Sequence, residues 1–193
     1  MKFDSLSQCI EYIFSDAYRY TGNYKKLSML KLYLSTIGFR YSTIMRICCY
    51  LRSRKWLWLI YLCMRLKLRH LSYKSGIQIP DTAQIGKGFY IGHFGCIVVN
   101  YNAILGNNIN ISQGVTIGQT NRGDKQGVPT IGNEVYIGPG AKIIGKINIC
   151  NNVTIGANAV VISDIPDNAC VAGVPAKILS YAGSEGYVNR KVK

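Results

Sequence analysis

Acidic residues are scarce in this 193-residue chain: nine Asp and Glu stand against 23 Lys and Arg, for a formal charge of +14. The scarcity is sharpest at the start. Residues 1–75 hold three acids, Asp4, Glu11 and Asp16, against 14 Lys and Arg, whereas residues 76–193 hold six against nine. The basic character therefore belongs to the leading segment, and the rest is close to neutral. Histidine is rarer still. Only His70 and His93 are present, too few for a catalytic zinc held by about three imidazoles, and no metal is expected. The seven cysteines include no CxxC pair and no paired spacing, which argues for a reduced, cytoplasmic compartment. Long apolar runs are missing too: Trp56 to Met64 is nine uncharged residues, too short to span a bilayer. The acids within residues 1–16 and the lack of a cleavage pattern speak against a secretory leader. No Walker loop, GxSxG elbow or paired-carboxylate pattern occurs.

What the chain does have is a period of six. Aliphatic residues recur as Ile79, Ile85, Ile91, Ile97, Ala103, Ile109 and Val115, then as Ile131, Ile137, Ile143, Ile149, Ile155 and Val161. A second column is read two residues before each, from Ile77, Ala83, Phe89, Gly95, Tyr101, Asn107 and Gln113 to Pro129, Val135, Ala141, Ile147, Val153 and Ala159. Six fits neither a 3.6-residue helix nor simple strand alternation. It fits a parallel β-helix, one short strand and one turn per hexad, with glycine at 86, 92, 118, 132, 138 and 156 for the turns. Stacked coils bury the columns that one hexad alone cannot.

The chain thus divides into a basic helical segment, 1–75, a β-helix domain, 76–178, and a loose C-terminal tail, 179–193. Helices are expected from about Asp4 to Tyr20, Asn23 to Gly38 and Tyr41 to Leu71, with Gly22 and Gly38 as stops. From Arg46 to Arg69, cations interleave with Trp56, Leu57, Trp58, Leu59, Ile60, Tyr61 and Leu62. This segment, residues 41–71, either packs on its neighbours or lies against an anionic membrane surface; nucleic acid is not expected, since no binding motif accompanies the charge. Val115 and Ile131 are not a multiple of six apart, so an excursion loop must leave the coil at 118–128. A polar loop on a rigid scaffold is a natural place for function.

His70 ends the basic stretch and reads as a surface residue. His93 lies in Ile91-Gly-His-Phe-Gly-Cys-Ile97, at a turn that points outward from the coil. Together with Ile85-Gly-Lys-Gly88, Gly114-Val-Thr-Ile-Gly118, Pro129-Thr-Ile-Gly132, Ile137-Gly-Pro-Gly-Ala-Lys-Ile143, Ile155-Gly-Ala157 and Ala172-Gly-Val-Pro-Ala-Lys177, it makes residues 76–178 resemble the hexapeptide-repeat acyltransferases. The likeness is to their serine acetyltransferase-like branch, which includes O-acetyltransferases of surface-polysaccharide synthesis.

The resemblance implies an all-β left-handed parallel β-helix behind the helical segment. It also implies a homotrimer with acetyl-CoA as co-substrate in the groove between neighbouring β-helices. His93 is then the general base, a role suited to imidazole because its charge changes near neutral pH. Pro139, Gly140 and Ala157 would line the pantetheine path, and Lys177 would meet the phosphates of CoA. Two positions depart from the serine-specific pattern. Gly92 stands where Asp usually precedes the histidine, and Gly127-Val128 where an Arg-His pair usually precedes the proline. Gln119, Asn121 and Arg122 of the excursion loop are the expected acceptor-binding residues, and their donors suit a sugar hydroxyl. The expectation is therefore an O-acetyltransferase acting on a sugar or polysaccharide, with a serine O-acetyltransferase of cysteine biosynthesis and a non-catalytic binding module as alternatives.

Overall fold

A hexad with two inward aliphatic residues can bury them only by winding, and the chain does so. The computed structural model describes residues 3–193; from Ile77 onward it is a left-handed parallel β-helix. In chain order the strands are β1 (Ile77–Gln78), β2 (Gln84–Ile85), β3 (Tyr90–Ile91), β4 (Ile97–Val99), β5 (Ile104–Leu105), β6 (Asn110–Ile111), β7 (Thr116–Gly118), β8 (Thr130–Ile131), β9 (Tyr136–Ile137), β10 (Lys142–Ile144), β11 (Asn148–Ile149), β12 (Thr154–Ile155), β13 (Val160–Val161), β14 (Cys170–Gly173) and β15 (Ala176–Ser180). Three sheets result: β1-β4-β7-β10-β13, β2-β5-β8-β11 and β3-β6-β9-β12-β14. They form the faces of a triangular prism, and β15 adds to the third as an antiparallel partner of β14.

The register contains a phase shift. Ile77 pairs with Ile97 and Ile91 with Ile111, 20 residues apart, whereas Thr130 pairs with Asn148 and Tyr136 with Thr154, 18 apart. The first coil therefore carries two extra residues, in the turn 92–96 between β3 and β4. After it the main column continues through Val99, Leu105, Ile111 and Ile117, all buried. Ile97, Ala103, Ile109 and Val115, expected in the main column, make up the second one. Gly95, Tyr101, Asn107 and Gln113, expected to face inward, sit at turns instead, and Tyr101 is 57% exposed. The excursion belongs to a 26-residue coil, Ile104 to Thr130, eight longer than the regular 18.

The first coil exposes a row of backbone groups with no strand beneath them, a liability in any open sheet. The leading helices cover it: α1 (Leu6–Thr21), α2 (Lys26–Ser35), α3 (Ile37–Arg52) and, after a 3₁₀ turn (Lys55–Leu57), α4 (Trp58–Ser75). Each of the three lowest strands receives its own cap. The Tyr41 hydroxyl donates to the Ile79 carbonyl and accepts from its N–H. Arg46 donates to the carbonyls of Ile85 and Gly86, 2.6 Å each. Asp16 accepts from the Phe89 N–H at 2.8 Å, and the Tyr20 hydroxyl bridges the N–H and carbonyl of Ile91. Arg46 and Asp16 pair at 3.1 Å with both side chains fully buried. Burial pushes the Asp16 carboxyl up from its ordinary range, and the Arg46 guanidinium and the Phe89 N–H oppose that.

The helical segment differs from expectation in two respects, and the tail in a third. Gly22 does end α1, in a left-handed conformation (φ 68°). Gly38 ends nothing: it lies at the start of α3, where a β-carbon would overlap the Ile91 carbonyl and come 2.8 Å from the Ile91 Cβ. The single helix expected over 41–71 breaks at Ser53 and Arg54. Within that span, residues 41–46 together with Cys48, Cys49 and Leu51 are buried, so this half packs against its neighbours. Among the described residues, no helix is long and apolar enough to cross a membrane. The tail is not loose. Val188 is 2% exposed, Ser184 donates to Asn152, Asn108 exchanges hydrogen bonds with the Val192 backbone, and Arg19 of α1 donates to the Asn189 carbonyl. It straps the last coil to the helical cap.

Candidate active site

The two inserted residues of the first coil make the turn that carries His93. Gly95 (φ 115°) and Cys96 (φ 52°) supply the backbone conformations that let the chain turn there. Beneath the turn, Ile91 is fixed by Tyr20 and by contact with Gly38. His93 is exposed and makes no hydrogen bond with the described residues, leaving both ring nitrogens free for a substrate or a neighbouring chain.

The turns above it stack into one edge of the prism. Gly114 N–H donates to the Gly95 carbonyl at 2.8 Å, Gly140 N–H to that of Gln113 at 2.9 Å, and Asn158 N–H to that of Pro139 at 2.8 Å. The structure thus brings His93, Pro139, Gly140 and Ala157 onto one line. At about 4.8 Å per rung, Pro139 stands two rungs above the His93 turn and Ala157 three. Lys177, exposed on β15 opposite Ala172, lies two strand spacings further, about 24 Å from the His93 rung.

Sequence reasoning missed one member of this edge. Gln113 sits one rung above His93, and its side-chain oxygen is buried with no hydrogen-bond partner among the described residues. A lone buried acceptor costs stability unless something donates to it. The residue was overlooked because the unshifted period places it in a core column.

The excursion loop is ordered. Thr120 and Gly127 bond to each other through their backbones, 3.0 Å both ways, and the Lys125 side chain reaches the Ile162 carbonyl at 2.9 Å. Asn100 donates to Gln119, which donates to Asn121, and Arg122 is exposed. This loop stands on the edge between the first and second faces, whereas His93 stands on the edge between the third and first. The structure therefore does not bring Gln119, Asn121 and Arg122 to His93 within one protomer. None of them lines the cavity of about 650 Å³ between α4 and the first face, whose polar lining includes Arg65, Arg69 and Asp81. No group of three or more His, Cys, Asp or Glu that could hold a metal occurs among the described residues.

Comparison with known proteins places the chain. Residues 129–163 match the bacterial transferase hexapeptide model (six repeats). The chain is 39% identical over 117 residues to a serine acetyltransferase of Synechococcus elongatus, covering 60% of this chain and 48% of that one. It spans about half the length of the curated relatives it matches. Among solved structures, a serine acetyltransferase in complex with CoA superposes with a TM-score of 0.71 at 32% identity, over 90% of this chain and 71% of that one. The Neisseria gonorrhoeae serine acetyltransferase in complex with serine gives 0.70 at 31%, over 91% and 71%. These relatives overturn the expectation of a sugar or polysaccharide acceptor: they are serine acetyltransferases by name, and one is held with serine itself.

Proposed function

We propose that this chain, which belongs to the hexapeptide-repeat acyltransferases in their serine acetyltransferase-like branch, is an acetyl-CoA-dependent serine O-acetyltransferase of cysteine biosynthesis. The observation that carries this reading is the superposition, over nine-tenths of the chain, on serine acetyltransferases holding CoA and serine.

The edge from His93 to Lys177 supports the placement of the co-substrate. Its thioester end lies at His93, its pantetheine arm passes Pro139, Gly140 and Ala157, and its phosphates face the Lys177 ammonium. Gln113 accepts an amide N–H of the arm. His93 removes the proton of the serine hydroxyl as that oxygen attacks the thioester carbonyl. The C–S bond then breaks, and the imidazolium returns its proton to the departing thiolate, leaving O-acetylserine and free CoA. Arg122 pairs with the serine carboxylate, in place of the Arg-His pair absent at Gly127 and Val128, while Gln119 and Asn121 hydrogen-bond the amino acid.

Because the loop and His93 occupy different edges of the prism, this site requires a second copy. A homotrimer supplies it three times by setting the loop edge of one protomer beside the His93 edge of the next.

The experiment is turnover of acetyl-CoA by the purified protein with L-serine, read as released thiol and as O-acetylserine by mass spectrometry. Serine-dependent release of both is expected. Thiol release without O-acetylserine, or no turnover at all, would overturn the assignment.

A further inference from the structure

α2 is ten residues long and buries none of them. Leu27, Leu30 and Leu34 project from it, spaced three and four apart as on one helical face, and Leu27 is 77% exposed. α4 is apolar on two opposite sides. Tyr61, Met64, Leu68 and Leu71 make its inner seam, packed in the core cluster. Leu59, Leu62 and Leu66 make a second, exposed seam, with Arg65 and Arg69 on one flank and Lys67 and Lys74 on the other; Leu62 and Leu66 also rim the cavity toward the first face. The turn leading into α4 adds Trp56 and Trp58, 80% and 59% exposed.

The two helices share a groove of about 390 Å³ lined by Leu34, Arg40, Lys67, His70, Lys74 and their neighbours. No Asp or Glu lines this groove; on the other flank of α4, Asp81 shares the cavity toward the first face with Arg65 and Arg69.

We infer that the outer face of α2, the 3₁₀ turn and α4 docks on an anionic lipid bilayer. Leucines and tryptophans flanked by long cations are what an interfacial helix presents: apolar side chains enter the acyl boundary, Trp sits at headgroup level, and Lys and Arg reach outward to phosphate. A two-fold copy of the chain is a poor occupant, because it would set Arg65, Lys67, Arg69 and Lys74 against themselves. Only the C-terminal half of the span 41–71 takes part, since the other half is buried. The inference stands apart from the acyl-transfer reading.

The chain contains two tryptophans, Trp56 and Trp58, and both lie on this face, so intrinsic emission reports on it directly. The full-length protein is mixed with phosphatidylcholine vesicles, with and without phosphatidylglycerol, and followed by emission and co-sedimentation. A blue shift and sedimentation with the anionic vesicles, reversed by high salt, are expected. Lys67→Gln and Lys74→Gln each weaken binding about fivefold, and Leu59→Ser with Leu66→Ser removes the shift. Equal binding to both vesicle types, or none to either, overturns the inference. Emission already blue-shifted without lipid, with a mass that grows with concentration, assigns the face to another copy and overturns it as well. Serine turnover in lipid-free buffer is a separate readout, so its failure touches the catalytic reading alone.

Discussion

Gly38 and Ile91 meet where the helical cap joins the β-helix, so closely that no side chain fits between them. Ile91 is also the last residue of β3, two before His93. The contact therefore ties the cap to the candidate general base. Gly38→Ala must displace backbone rather than a flexible side chain, and overpacking of this kind costs about 1–3 kcal/mol. Thermal unfolding is expected to shift down, and turnover to fall further than the stability loss accounts for. Unchanged melting and activity would show that α3 can move aside freely.

Arg46 and Asp16 form the buried junction of cap and first coil. Arg46→Ala strands the Asp16 carboxylate and two backbone carbonyls, and removing one partner of a buried pair costs about 3–5 kcal/mol. Lys87 and Glu11 pair at the surface, and Lys87→Ala is expected to cost about 1 kcal/mol or less. Urea unfolding of the two variants side by side checks the contrast; similar losses would mean the buried pair is not the junction it looks like.

Removing the imidazole tests the base. His93→Ala is expected to lower kcat by about 10²- to 10⁴-fold, with acetyl-CoA affinity and oligomeric mass retained. Residual turnover within about tenfold of the parent would contradict the assignment.

The two ends of the site should separate in steady-state kinetics. Arg122→Ala is expected to raise KM for serine, and Lys177→Ala to raise KM for acetyl-CoA, each by about tenfold, the loss of a charge-assisted hydrogen bond. Gln113→Leu should act on the acetyl-CoA KM as well, while stabilising the protein slightly because a buried unpartnered oxygen is removed.

A site shared between copies can be rebuilt from two damaged ones. His93→Ala and Arg122→Ala protomers, co-expressed, should give hybrid oligomers in which about a quarter of the interfaces carry both intact residues. At low serine, their turnover is expected to exceed that of either variant alone. Activity no better than the mean of the two would place Arg122 and His93 in one site within a single protomer and overturn the shared-site reading.

The β-helix was legible because its signal is local. Each hexad repeats the same choice of aliphatic pair and turn, and His93 stands out as a turn residue in a chain with two histidines. The edge of Pro139, Gly140 and Ala157 came from resemblance, and stacking explains why those residues align with His93. Gly22 was readable as a helix stop, whereas Gly38 carries the same letter for a different reason: close approach to a strand distant in sequence.

The phase shift was hidden by a degeneracy. The two core columns lie two residues apart and both are aliphatic, as in Ile97 and Val99, Ile109 and Ile111, or Val115 and Ile117. An insertion of two residues therefore exchanges one column for the other without breaking the period. Gly106 and Gly118, which follow Leu105 and Ile117, already obey the shifted phase.

By itself, then, the sequence determined a six-residue repeat, a basic helical leader and an outward histidine at a coil turn, because each depends on residues close together in the chain. Only the tertiary structure decided that Gln113 lies beside that histidine, that the excursion loop stands on another edge, that the tail straps the cap, and that α2 and half of α4 are left uncovered. Those facts depend on how many residues close each coil and on which backbone groups find partners across the fold, and neither is set by any one segment.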